Sequence, residues 1–241
     1  MELDPNLAEA HTSVAFWTMN YEWAWESSEA EFRRAIELNP NHAIAHQWYS
    51  TNLLCRGRFE EALASAKTAI ELEPQSLSGN ASLGWVYHFS RRYEQAIEQY
   101  LKTIGIDPNF FVAYHFLALS YEQKGMYEEA IAACQHVAKQ PGGLTVVMGA
   151  LTHSYAKSGR LDKAAKLLDE LMRRREQTYV PAYDLAIIHT GLGQWEQALQ
   201  WLSEAGHERS TWLTYLRLEP RLDPLRGEPR FQALLRRVGL G

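Results

Sequence analysis

Apolar positions recur three and four residues apart in one segment after another, the spacing of a helix with one buried face. From Leu77 to Arg91 the stripe is Leu83, Gly84 and Tyr87, and from Tyr93 to Gly105 it is Ala96, Ile97, Tyr100 and Ile104. Between the two stripes stands Arg91, and equivalent breaks carry Gly57, Gly125, Gly159 and Gly193. Glycine takes the left-handed backbone that ends a helix, so the pattern predicts helix, tight turn, helix.

The pattern repeats. Pro40, Pro74 and Pro108 are 34 residues apart, each closing a similar phrase: Ile36-Glu37-Leu38-Asn39-Pro40, Ile70-Glu71-Leu72-Glu73-Pro74 and Ile104-Gly105-Ile106-Asp107-Pro108. At the same step an apolar, mostly aromatic residue recurs at Trp25, Phe59, Tyr93, Tyr127, Leu161 and Trp195. Three residues later come Ser28, Ala62, Ala96, Ala130, Ala164 and Ala198. Small residues let paired helices approach closely, so these mark the crossings, with the aromatic filling the space beside each. The prolines lie between units, where they cost no internal helix bond and stop the preceding helix.

A 34-residue period with Leu83-Gly84, Tyr87, Tyr93, Ala96, Tyr100 and Pro108 in one unit, and Leu117-Ala118, Tyr121, Gly125, Tyr127 and Ala130 in the next, resembles the tetratricopeptide repeat family. The resemblance covers about residues 8 to 212. It implies an all-α, right-handed solenoid of six helix pairs (about 8–42, 43–76, 77–110, 111–144, 145–178 and 179–212) with capping helices over 213–241. Two departures are expected to show. The first unit, Asn20-Tyr21-Glu22-Trp23-Ala24-Trp25, has one extra residue and no turn glycine, which predicts a distorted turn. Pro141-Gly142-Gly143 comes one place early, which predicts a shortened helix and a bend in the stack.

At the start, Leu3-Asp4-Pro5-Asn6 reads as the closing phrase of a preceding repeat, so the chain is expected to be part of a longer array. After Gly206 the phase lapses into Trp212-Leu213-Thr214-Tyr215-Leu216, then Pro220, Pro224 and Pro229, then an amphipathic helix from about Phe231 to Val238. The stretch from Leu218 to Arg237 resembles the C-terminal ends of large bacterial tetratricopeptide proteins, in which a winged-helix, kinase or cyclase region commonly precedes the repeats. Structurally it reads as a cap over the last apolar face.

Composition narrows the function. The 241 residues carry 24 Lys+Arg against 29 Asp+Glu, a net charge of −5. This weighs against a nucleic-acid groove, which needs clustered positive charge. The excess is uneven, −7 over residues 1–120 and +2 over 121–241, and reads as solvated outer surface. Cys55 and Cys134 lack CxxC spacing, no run reaches the roughly 18 apolar residues of a membrane span, and the start lacks a leader pattern, so a cytoplasmic protein is expected. None of the nine histidines has the spacing of a metal motif. His11, His46, His136 and His189 read as packing residues, and a metal shared by His88, His115 and His153 is disfavoured. No nucleophile elbow or phosphate-binding loop is present, so neither catalysis nor a cofactor is expected.

What remains is a groove. The family resemblance implies that the first helix of each unit lines a concave face, here through Phe16, Met19 and Asn20; Gln47, Thr51 and Leu54; Ala81, Trp85, His88 and Phe89; His115, Leu119, Glu122 and Gln123; Gly149, His153 and Lys157; and Tyr183. Aromatic side chains on such a face suit a protein or peptide ligand. Thr51, Trp85, Leu119 and His153 stand where family members that bind chaperone C-termini repeat an asparagine, so that role is not expected. Self-association through the apolar first unit is the alternative, and a pentatricopeptide-type RNA binder is disfavoured by charge.

Overall fold

The fold is seen in a computed structural model, which describes residues 6–139 and 143–241. Every regular element among them is helical. Six antiparallel pairs follow one another: α1 (Ala8–Trp17) with α2 (Trp25–Leu38), α3 (Ala43–Cys55) with α4 (Phe59–Leu72), α5 (Leu77–Phe89) with α6 (Tyr93–Ile106), α7 (Phe111–Gln123) with α8 (Tyr127–Ala138), α9 (Gly143–Lys157) with α10 (Leu161–Arg175), and α11 (Ala182–Gly191) with α12 (Trp195–His207). The odd-numbered helices also touch one another in succession, so they form the inner wall of the solenoid.

The turns follow the repeat. Gly57, Gly125, Gly159 and Gly193 have φ between +72° and +79°, and Arg91 takes the same conformation at +62°. Trp23, 34 residues before Gly57, is likewise at +57°. The extra residue of the first unit is absorbed ahead of it, where α1 runs on into one π-helical turn, Thr18–Glu22. An inserted residue in a continuous helix forms such a turn because the i→i+5 bond accommodates it without breaking the helix. The expected distortion is there, confined to one turn. The Leu3-Asp4-Pro5 and Pro141-Gly142 phrases, and the bend expected at the latter, lie outside the described residues; α8, which precedes it, has 12 residues where α6 has 14.

Packing between paired helices rests on the small residues. Ala62, Ala96, Ala130, Ala164 and Ala198 are completely buried, as is Ser28, whose hydroxyl donates to the Ala15 carbonyl at 2.8 Å. Gly84 is tighter still: a β-carbon there would lie 2.4 Å from the ring of Tyr100, itself fully buried. The residues expected to fill the space beside each crossing do so unevenly: Trp25 is buried, but Leu161 and Trp195 are about half exposed.

The C-terminal segment departs from a simple cap. After α12 the chain turns at Arg209 (φ +50°), forms a 3₁₀ turn over Thr211–Tyr215 and another over Pro220–Leu225, and ends in α13 (Pro229–Arg237). As expected of a cap, α13 packs on α12. The segment also crosses the inner face of the array and joins its two ends. The indole N–H of Trp25 donates to the Val238 carbonyl at 2.8 Å, and Arg209 donates to the Tyr21 carbonyl at 2.7 Å. Gly239 is pressed against the Trp25 ring, where a β-carbon would come within 2.9 Å. Leu213, Leu216, Leu222, Leu225, Phe231 and Val238 are at most 1% exposed. Each such side chain contributes about 1.5–3 kcal/mol by leaving water, so this segment belongs to the core. The accessible surface, 11348 Å², is close to the roughly 11,000 Å² of a compact globular chain of this mass, as closure of the solenoid on itself requires.

Candidate binding groove

The inner helices carry the residues expected to line a groove, and the C-terminal segment crosses that side of the array and divides it in two. Over its C-terminal half the groove is filled. Tyr215 stacks on Phe89 (ring centroids 5.0 Å apart, 6° between planes) and meets Trp85 edge-on at 5.0 Å. Trp212 lies parallel to Tyr183 at 5.9 Å. Phe89, His88, Leu119 and Tyr183 are therefore buried and covered while this segment is seated, and Glu122 and His153 are buried too, at the edge of a small polar pocket. Leu54 is fully buried within the helix pairs. The histidines expected to pack each find a partner: His11 pairs with Glu31, His46 with the Pro40 carbonyl and His189 with Gln194, while His136 stacks on Tyr114.

Beneath the second 3₁₀ turn lies a buried ionic cluster. Arg221 donates to both oxygens of Glu219 at 2.7 and 2.8 Å, and Tyr183 Oη donates to Glu219 Oε2 at 3.3 Å. Burial alone would raise the Glu219 carboxyl, but the Arg221 guanidinium outweighs it and holds the group down at about 2. Glu122 accepts from the Ser154 hydroxyl at 2.7 Å and lies 3.0 Å from His153 Nδ1. Burial works against its charge; His153, Arg221 and Ser154 prevail and keep its carboxyl below the usual range. Gln123, His153 and the exposed Lys157 border a small polar pocket of about 200 Å³ beside this cluster. His88, 1% exposed, is pushed down to about 4 by burial, its Nδ1 3.0 Å from Ser120 Oγ, and burial takes the less enclosed His115 to the same value.

These histidines give the fold a pH dependence. The unfolded chain protonates His88 near 6.5 and the folded chain only near 4, so the contribution is complete above pH 6.5 and is lost as pH falls towards 4. That difference corresponds to roughly 3 kcal/mol. Urea unfolding should show stability declining across that window, and His88→Phe should flatten the decline. An unchanged slope in the variant would contradict the burial of this ring.

Over its N-terminal half the groove stays open. A cavity of about 520 Å³ is bounded by Phe16, Met19, Asn20, Gln47, Trp48, Thr51, Ser78, Ala81, Ser82, Trp85, Phe110, Val112 and Phe116, and closed at one end by Thr211, Trp212 and Tyr215. Phe16 and Trp48 pair at 4.5 Å, and Trp85 and Phe116 at 4.0 Å. Among the described residues its border includes no acidic or basic side chain. Such a volume is that of a ligand pocket, and burying an unpaired charge in it would be costly. Phe16, Met19, Asn20, Gln47, Thr51 and Trp85 were legible as groove positions. Trp48, Phe110 and Phe116 border it too, beyond the expected positions: Trp48 directly follows Gln47 and Phe116 directly follows His115. Trp212 and Tyr215 fall outside the repeat, and no periodicity marks them as wall.

Comparison with known proteins agrees with this architecture. Models described as tetratricopeptide repeat match residues 25–76, 50–109, 112–140 and 180–204, together more than half of the chain. A PPR repeat model matches 146–175, the fifth helix pair. No curated protein matches the chain. Among solved structures, PilW, a widely conserved type IV pilus biogenesis factor, superposes with a TM-score of 0.64 at 18% identity, over 90% of this chain and 97% of that one. PilF of Pseudomonas aeruginosa gives 0.58 at 14%, over 95% and 97%. A thermophilic TPR protein of Thermus thermophilus gives 0.56 at 18%, over 95% and 98%. At these identities the likeness is one of fold. With the 34-residue period, the helix pairs and the matching repeat models all in agreement, the chain belongs to the tetratricopeptide repeat family.

Proposed function

We propose that this protein is a non-catalytic scaffold that holds a protein partner through the open, N-terminal half of its groove, taking an apolar segment of that partner into the cavity around Trp85. The reading rests on one observation: an uncharged, aromatic-walled cavity of about 520 Å³ that the protein's own core leaves unfilled. Large apolar rings at a concave surface supply contact area at little entropic cost, which is how anchor residues of partners are held. Absence of lysine and arginine from the border favours protein over nucleic acid. Buried, unpaired Cys55 and Cys134 fit the cytoplasm. The wider role, as the repeat region of a bacterial regulator, has its support in the resemblance of the Leu218–Arg237 stretch to such proteins.

The test is selection of displayed random peptides on the wild-type protein, followed by counter-selection on Ser82→Trp, which places a large ring in the cavity from a half-buried position. Cavity-dependent binders are expected, and Phe16→Ala at the exposed rim should weaken them without touching the core. Failure to enrich any peptide, or binders indifferent to both variants, would overturn the reading. Self-association is the second reading, favoured by the exposed, stacked pair of Trp17 and Tyr21 (ring centroids 4.3 Å apart) on the surface of the first unit. Light scattering over a dilution series separates the two.

A further inference from the structure

The proposed cavity has a specific boundary condition, because the wall that closes it is made by the protein itself. Leu213, Thr214 and Leu216 are fully buried, so the 3₁₀ turn between them is fixed and the groove ends there. A long extended peptide following the concave face has no path past Trp212 and Tyr215. Whatever fills the cavity enters from the open side and stops.

The same turn shows how a pair of rings packs against this wall. Residues three apart in a 3₁₀ turn point to one side. Trp212 and Tyr215, whose ring centroids are 6.1 Å apart, use that geometry to lay two rings against Trp85, at 5.8 and 5.0 Å. The vacant half borders the same Trp85 and is walled by further rings, those of Phe16, Trp48 and Phe116, with small hydroxyls and amides between. A cavity of 150 Å³ holds about one benzene ring, so this one has room for two or three. Among the described residues no charge borders it to neutralise a charged anchor.

Resting on the scaffold reading above, we propose that the partner segment is a short, uncharged turn bearing two aromatic residues three positions apart, entering the vacant half as Trp212 and Tyr215 enter the filled half. The intact chain provides the test. An end-capped peptide with Trp-x-x-Tyr on a neutral background is titrated calorimetrically and should saturate one site. Replacing either aromatic by Lys or Glu, or moving the pair to Trp-x-Tyr, should weaken binding at least tenfold, as should Ser82→Trp in the protein. N-acetyltryptophanamide, a single neutral indole, should bind at least tenfold more weakly than the peptide.

Equal binding by the charged or respaced peptides would overturn the proposal, and so would equal binding by the free indole, which would make the cavity a small-molecule site. No saturation by the Trp-x-x-Tyr peptide would also overturn it. If the displayed-peptide selection still returned cavity-dependent binders of other composition, the scaffold reading would stand and only the aromatic-turn chemistry would fall.

Discussion

Arg221→Ala should lower the stability of the protein by about 3–5 kcal/mol, one of the two largest single effects expected here. Arg221 is 9% exposed and Glu219 only 1%, and the guanidinium grips the carboxylate through two hydrogen bonds. Removing the cation strands a carboxylate where water cannot reach it. The group would then take up a proton at far higher pH than about 2, and the Tyr183 hydroxyl that donates to Glu219 would be left with a weaker acceptor. Replacing both members, as in Glu219→Leu with Arg221→Met, removes the charge and the need for it together, and should cost much less than the single change. Urea unfolding at pH 7 checks both variants. A loss below about 1 kcal/mol for Arg221→Ala would mean that the pair is solvated, as surface ion pairs are.

Trp85→Ala should cost a similar amount, about 3–5 kcal/mol, the range for deleting a buried indole. Trp85 is 7% exposed, and its ring lies within 6 Å of those of Phe89, Phe116, Trp212 and Tyr215, so it couples the repeats to the C-terminal segment. Its loss should therefore loosen that segment as well as lower the unfolding midpoint, seen as a changed near-ultraviolet dichroism spectrum. Trp195→Ala, at a residue 45% exposed, should stay within about 0.5 kcal/mol and serves as the control. Equal effects of the two changes would contradict the central position given to Trp85. Alanine at Trp85 or Phe89 is therefore a poor probe of ligand binding: both hold the core, so a loss of binding would report unfolding. Filling the cavity from Ser82, or trimming its rim at Phe16, separates the two effects.

The repeat was legible because each unit obeys the same local physics. A left-handed residue must end the first helix, and Gly57, Gly125, Gly159 and Gly193 supply it at a fixed spacing. Small residues must sit at the crossings, and Ala62, Ala96, Ala130 and Ala198 are fully buried there. Even the irregular first turn announced itself through its extra residue. The path of the C-terminal segment was not legible, since Trp212, Tyr215, Glu219 and Arg221 obey no period and their partners lie far away in sequence. Trp25 and Val238 are 213 residues apart, and nothing local to either points to the other. The groove positions could be placed from helix register alone, but which of them stay accessible depends on that long-range closure. His88, Phe89, Glu122 and Tyr183 therefore look like groove residues in sequence and are core residues in the fold.

Occupation of half of the groove by the chain's own C-terminal segment can be seen in solution through proton–proton Overhauser contacts. Cross-peaks between the ring of Tyr215 and those of Phe89 and Trp85, together with contacts from the Trp25 indole to Val238, are the predicted result. Their absence, with residues 211–241 showing the narrow lines and chemical shifts of an unstructured tail, would contradict it.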